Sequence, residues 1–319
     1  MMLLVTGASG FVGRGLLPRL AAAGARGVAV GREPPRGLPA GWTAATRAQI
    51  LAGPSPEPID AIVHLEVKQH VPRPSPADIT AFETVNVGGT REWLEWAERH
   101  RVNTFVHLST IKAVVAGDGT TDEHAPAEMT SPYGASKARA EAEVRRWAAK
   151  DAARRAVILR PAPVYGPGNE ANLAAFVRQI LGGKPCLIGA GETRKSIVSR
   201  TNLAAAIEFA LATAAPGCAV YTVSDPDAPT LAELAATIAD LGNAGPPRRI
   251  PAAVAAAVAP VGDAVEWLTG RSFPLTSARL RAIRETTVFP CDTLMAAGFR
   301  HPQTTREGLA EMVAWARGS

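Results

Sequence analysis

Gly7-Ala8-Ser9-Gly10-Phe11-Val12-Gly13 decides the fold, because the apolar run Met2-Leu3-Leu4-Val5-Thr6 leads straight into it and an alanine- and leucine-rich segment, Arg14 to Ala23, leads out. A short apolar run stopped by glycine reads as a buried strand, and the segment after the glycines reads as a helix. Glycines at positions 7, 10 and 13 have a mechanical use there. Gly7 permits a tight turn, Gly10 lets the backbone approach a pyrophosphate, and Gly13 lets helix and strand pack closely. Ser9, Phe11 and Val12 complete the loop, and the amino end of the helix then faces the anion. The spacing predicts a dinucleotide-binding unit.

The next strand, Val28-Ala29-Val30, ends at Gly31-Arg32. A carboxylate at this point usually holds the ribose hydroxyls of NAD, whereas an arginine accommodates a 2′-phosphate, so Arg32 leans towards NADP. Pro34 to Pro58 is proline-rich and has room for one short strand and one short helix. Ile59 to Leu65 reads as a buried strand, followed by a loop from Glu66 to Pro76 where ligands of such sheets bind. A helix is expected from Asp78 to His100, carrying Asn86-Val87-Gly88-Gly89-Thr90. The strand Thr104 to Leu108 then ends at the hydroxyls Ser109-Thr110.

Tyr133-Gly134-Ala135-Ser136-Lys137 opens a helix that Ser131-Pro132 starts and that runs to about Lys150. Positions four apart share a helix face, so the Tyr133 hydroxyl and the Lys137 ammonium are expected to converge. A fixed positive charge favours an ionised phenol, which suits tyrosine to proton transfer nearer neutrality. Beyond this helix, Val157 to Pro161 reads as a strand and Val164 to Gly168 breaks it. Ile197-Val198 and Val220 to Val223 read as strands; Leu173 to Leu181, Leu203 to Thr213, Leu231 to Asp240, Ala252 to Leu268, Ser277 to Ile283 and Arg306 to Arg317 read as helices. The alternation predicts an α/β fold, a doubly wound parallel sheet of the Rossmann kind with a smaller, mostly helical substrate-binding lobe. Residues 1–165, with a return segment at about 197–224, would form the dinucleotide domain, and 166–319 the lobe.

The bulk properties narrow the function classes. The 319 residues can bury a sizeable core, and the net charge of +5 is scattered without interleaved aromatics, which argues against a nucleic-acid surface. The apolar stretch Ala252 to Ala259, with proline on either side, is short for a membrane span. Met1 to Val5 enters the glycine turn with no basic region or cleavage site, so a cytoplasmic location is expected. Cys186, Cys218 and Cys291 are widely spaced and fit neither a disulfide set nor a metal site.

Together, Val5 to Gly13, Asp60 to Leu65, Asn86 to Thr90, Phe105 to Thr110, Tyr133 to Lys137 and Arg160 to Gly168 resemble the extended short-chain dehydrogenase/reductase family, NAD-dependent epimerase/dehydratase branch. Within it, His64-Leu65 to His70-Val71 and Ser109 to Lys112 look most like UDP-sugar 4-epimerases and 4-keto-sugar reductases. The resemblance implies Tyr133 as acid/base and Lys137 as the group that lowers its pKa and binds the nicotinamide ribose. Thr110 would hold the same sugar oxygen. It implies NAD(P) contacts from the glycine loop, Leu65, Lys68, Asn86, Pro161 and Val164. Asn172, Arg194 and Lys195 would take the substrate diphosphate, and the branch implies a homodimer through the Asp78 and Tyr133 helices. There are three departures from the family pattern: Glu66-Val67 where small residues press on the cofactor, Val114 for a tyrosine, and Arg200 at an apolar strand position.

Dehydratases of this branch carry Asp-Glu directly after the hydroxyl residue, whereas Ile111-Lys112 follows Thr110. Asp122-Glu123 reads as a solvated loop pair. A UDP-hexose 4-epimerase holding NAD is therefore the leading expectation, then an NADPH-dependent 4-keto-sugar reductase, then a non-catalytic dinucleotide-binding regulator on the same fold.

Overall fold

Met2–Thr6 forms β1, and along the chain follow β2 (Arg26–Gly31), β3 (Trp42–Thr46), β4 (Ala61–His64), β5 (Thr104–Leu108), β6 (Arg155–Pro161) and β7 (Gly217–Val223). All seven pair in parallel, in the order β7-β6-β5-β4-β1-β2-β3. The strand order reverses beside β1, so a ligand crevice opens at the carboxyl ends of β1 and β4, where Thr6 pairs with His64. The computed structural model describes residues 1–53, 57–71, 73–117, 119–270, 273 and 275–318. Residues 54–56 of the proline-rich stretch and residue 72 of the loop after β4 lie outside the described residues.

Side chains alternate across a strand, and here both faces are covered. Leu3, Val5, Val63, Val106 and Leu159 face one core, shared with the helices Phe11–Ala22 and Arg200–Thr213. Leu4, Ile62, Phe105 and Ile158 face the other, against Trp93, Trp96, Val144 and Trp147. The apolar runs of the sequence are continuous for this reason.

The helix expected from Asp78 to His100 is three pieces. An α-helical start, Pro76–Ala81, widens into a π-helical stretch, Phe82–Gly88, before Gly89–Arg99 resumes the α form. The wider turn carries Asn86 inward, where it is 1 % exposed and bonded to the Lys68 backbone and to Ser136. Glu123 also departs from expectation. Its carboxylate accepts the Thr222 N–H at 2.8 Å and the Thr293 hydroxyl at 3.1 Å, pinning its loop to β7.

After β6, the helices Asn172–Leu181, Leu231–Leu241 and Thr305–Gly318 share a core with Tyr165. A small parallel pair, Pro185–Ile188 with Arg248–Ile250, was not legible in the sequence because both strands are short. Ala252–Thr269 is one continuous helix that runs through Pro260. By length and composition it is long and apolar enough to cross a membrane, and only 22 % of it is buried. The helix read over Ala252 to Leu268 is present, and because Pro260 does not break it the apolar segment is longer than the run Ala252 to Ala259. The three cysteines are free.

Candidate active site

Gly7 has φ 64°, and a Cβ there would sit 2.7 Å from the Leu65 carbonyl carbon; one on Gly13 would meet the Ala8 oxygen at 2.4 Å. Side chains are excluded at both positions. Gly10 is the extended N-cap of Phe11–Ala22, which has no side-chain cap and no acid in its first turn. The first N–H groups of that helix therefore lack a side-chain acceptor, an arrangement that fits a pyrophosphate.

Glu66 poses no obstacle to an anion there. Its Oε2 accepts the Trp93 indole N–H at 3.0 Å and lies 3.4 Å from Arg47 Nε, so the carboxylate is turned into the helix layer. Lys68 sends its ammonium to Asp78 at 2.8 Å, leaving only its backbone, held by Asn86, at the crevice. Leu65 is buried just past β4, Pro161 ends β6, and Val164 pairs with Val198 beyond it. Ser9 and Arg32 are exposed, and Arg32 forms no ion pair among the described residues.

Ser131 caps the helix Pro132–Ala149, accepting the Gly134 N–H at 3.1 Å, and this puts Tyr133 in its first turn. Thr110, just past β5, stands near enough to the Tyr133 hydroxyl to act on its pKa. Burial pushes the phenol up to about 12, with Thr110 acting against it. The rings of His70 and Phe82 meet it edge-on, each at 5.7 Å. Sequence reasoning missed both, although His70 lies in a quoted motif.

Lys137 departs from the role its spacing suggested. Its Nζ donates to the Leu108 carbonyl at 2.8 Å and lies 3.3 Å from His107 Nε2, so its charge is directed at β5. Burial pulls it down to about 8, with Glu141 opposing. Behind it stands a buried polar chain. His107 stacks on His64 at 5.4 Å; His64 meets Thr6 at 2.8 Å and Thr90 at 3.1 Å. Burial, and then the Lys137 charge, holds both imidazoles neutral, His64 at about 3 and His107 well below its ordinary value. Histidines on buried strands were the available signal.

Ser109 points elsewhere, to Glu141 at 2.6 Å, and Glu141 forms a two-pronged pair with Arg160 at 2.9 and 2.6 Å. Two of the expected diphosphate ligands are committed as well. Arg194 donates to the Ala228 carbonyl at 2.9 Å, and the Lys195 ammonium donates to the Ala282 carbonyl at 2.9 Å and to that of Glu285. The resemblance assigned them to the diphosphate, and the lobe's backbone carbonyls take them instead. Asn172 is exposed at the start of its helix, in a cavity of about 90 Å³ with Val164, Asn169 and Met312. Arg200, an odd cation in the sequence, begins a helix and lies 4.8 Å over the Phe11 ring, beside the glycine loop.

Residues 3–223 match the NAD dependent epimerase/dehydratase family. The chain belongs to this family. A 4-epimerase of N-acetyl-alpha-D-glucosaminyl-diphospho-ditrans,octacis-undecaprenol from Escherichia coli O157:H7 is 29 % identical over 82 % of this chain and 77 % of its own length. UDP-glucose 4-epimerase from Vibrio cholerae is 33 % identical over 56 % of each chain. The solved structure of MoeE5 in complex with UDP-glucose and NAD superposes with a TM-score of 0.77 at 24 % identity, covering all of this chain and 99 % of that one. This family member is an NAD(P)-dependent enzyme, and the uncapped helix and glycine turn are where its residues fit the coenzyme.

Proposed function

We propose that the enzyme is a 4-epimerase of a diphosphate-linked hexose, with a UDP-hexose as substrate. The feature that supports this reading is the Thr110 hydroxyl at the carboxyl edge of β5, beside the first helical turn that carries the Tyr133 phenol. The bound coenzyme supplies hydride acceptance and return. Thr110 orients the sugar hydroxyl, and Tyr133 takes its proton as carbon loses hydride, then gives it back. Burial keeps the phenol protonated before substrate arrives, and the Thr110 hydroxyl acts against that rise. Ile111-Lys112 after Thr110 offers no acid/base pair for elimination, which favours epimerisation over dehydration.

The test follows the C4 configuration of UDP-glucose, UDP-N-acetylglucosamine and a polyprenyl-diphosphate sugar after incubation with purified protein. Tyr133→Phe should lower turnover about a thousandfold and leave coenzyme binding intact; a variant that still turned over would refute the assignment. Arg32, exposed at the end of β2, favours a second reading, reduction of a 4-keto sugar by NADPH. Consumption of one coenzyme per product, with no reverse reaction on the UDP-hexose, would replace the epimerase with that reductase.

A further inference from the structure

The helix Ala252–Thr269 uses one face inside the lobe. Its buried residues Ala255, Ala259, Gly262 and Glu266 recur at helical spacing and face the helix Ser277–Arg284 through Leu280. Gly262 is so close to the residues before that helix that a Cβ would sit 2.0 Å from the Leu275 oxygen. Both acids of the helix are spent inward. Asp263 accepts the Ser277 N–H at 3.1 Å, while Glu266 accepts the Phe273 N–H at 2.7 Å and pairs with Arg73 and Arg279.

Among the described residues the outer face has no such partners. Between Ala252 and Leu268 every exposed residue is Ala, Val, Pro, Trp or Leu. Val254, Val258, Val261 and Leu268 run down this side with 50, 37, 57 and 72 % exposure, and Trp267 is 83 % exposed. A patch of this kind on a folded protein marks an interaction surface.

The surrounding charge selects the partner. A groove of about 570 Å³ beside the helix is walled by Ala256, Ala259 and Leu280 and rimmed by Arg281 and Arg284, with Glu285 the one acid. Arg281 and Arg284 are exposed and form no ion pair among the described residues. Arg248 and Arg249, on the strand leading into the helix, donate to the uncharged carbonyls of Gly183, Gly189 and Ala190, so their charge is uncompensated too. A second copy of this surface would set like charges against each other. An anionic surface with an apolar interior complements it, and a tryptophan at the helix end suits the boundary between the two.

We propose that the helix Ala252–Thr269 lies flat in the headgroup region of an anionic phospholipid bilayer. Val254, Val261 and Leu268, which share one side, enter the acyl boundary with Trp267 at its edge, and Arg248, Arg249, Arg281 and Arg284 meet the lipid phosphates. The Glu266 pair with Arg73 ties this helix to the loop that leaves β4. Docking is independent of which sugar the enzyme turns over.

The test is flotation of the full chain with vesicles of phosphatidylcholine, alone or with phosphatidylglycerol. Wild-type protein should float with the anionic vesicles and bind neutral ones about tenfold more weakly. Val261→Asp with Trp267→Ser should abolish flotation without changing the melting temperature, and Arg281→Gln with Arg284→Gln, or added salt, should weaken it several-fold. Equal binding to both vesicle types, or flotation indifferent to all these changes, would overturn the proposal. So would a dimer in vesicle-free solution that Val261→Asp converts to monomer, because the face would then be covered by a second copy.

Discussion

Lys137 Nζ stands 3.3 Å from His107 Nε2, so the lysine four residues after Tyr133 is stored against a neutral histidine and the Leu108 carbonyl. Among the described residues no carboxylate pairs with this buried cation, which costs folding free energy and keeps a positive charge beneath the crevice.

The first prediction concerns that cost. Lys137 falls from its ordinary 10.5 to about 8, so between those values the unfolded chain binds more protons than the folded one and stability rises with pH. The penalty is full below pH 8, on the order of 3 kcal/mol, offset by about 1 kcal/mol for the hydrogen bond to Leu108. Lys137→Met should therefore abolish turnover yet raise the melting temperature at pH 7, and the gain should vanish towards pH 10.5. Calorimetry at both pH values checks it, and a destabilised variant at pH 7 would contradict it.

The buried histidines set the acid limb. His64 and His107 titrate normally once unfolded, near 6.5, but resist protonation when folded, His64 down to about 3. As pH falls below 6.5 the unfolded state gains protons that the folded state refuses, so stability drops by up to about 2.7 kcal/mol per pH unit for the two. Urea unfolding between pH 6.5 and 5 should show this slope, and His64→Gln should halve it.

How much of this was legible follows the kind of force involved. The sheet and the glycine turn came from local signals, apolar runs and caps, that do not depend on distant partners, whereas a place for Thr110 opposite Tyr133 was implied by the family resemblance. The fate of the long polar side chains did not. Glu66 turns to Trp93, Lys195 caps carbonyls at Ala282 and Glu285, and Lys137 turns to His107; each choice was settled by a residue at least 27 positions away. The π-helical turn around Asn86 was hidden for the same reason, since only the bonds to Lys68 and Ser136 reward it.

Glu66 offers a third prediction. If its carboxylate serves Trp93 and Arg47, Glu66→Ala leaves the indole N–H unsatisfied and should cost about 1–3 kcal/mol with little change in coenzyme affinity. Denaturant melts and a coenzyme titration separate the two. Affinity lost without a loss of stability would assign the carboxylate to the ligand.

Glu141 joins the fold to the site more tightly than any residue predicted to act there. Its two oxygens bind the Arg160 guanidinium and one also accepts the Ser109 hydroxyl, directly before Thr110, while its charge holds up the Lys137 pKa. Glu141→Gln breaks a pair whose side chains are 4 and 6 % exposed, which should cost about 3–5 kcal/mol because Arg160 is left charged and buried. Replacing both partners, Glu141→Leu with Arg160→Met, removes the stranded charge and should restore much of that loss. Activity should not recover with it, because Ser109 then lacks the acceptor that fixes the end of β5 and Lys137 loses the carboxylate opposing its deprotonation. A double variant that regained stability and full turnover together would show that Glu141 serves the fold alone.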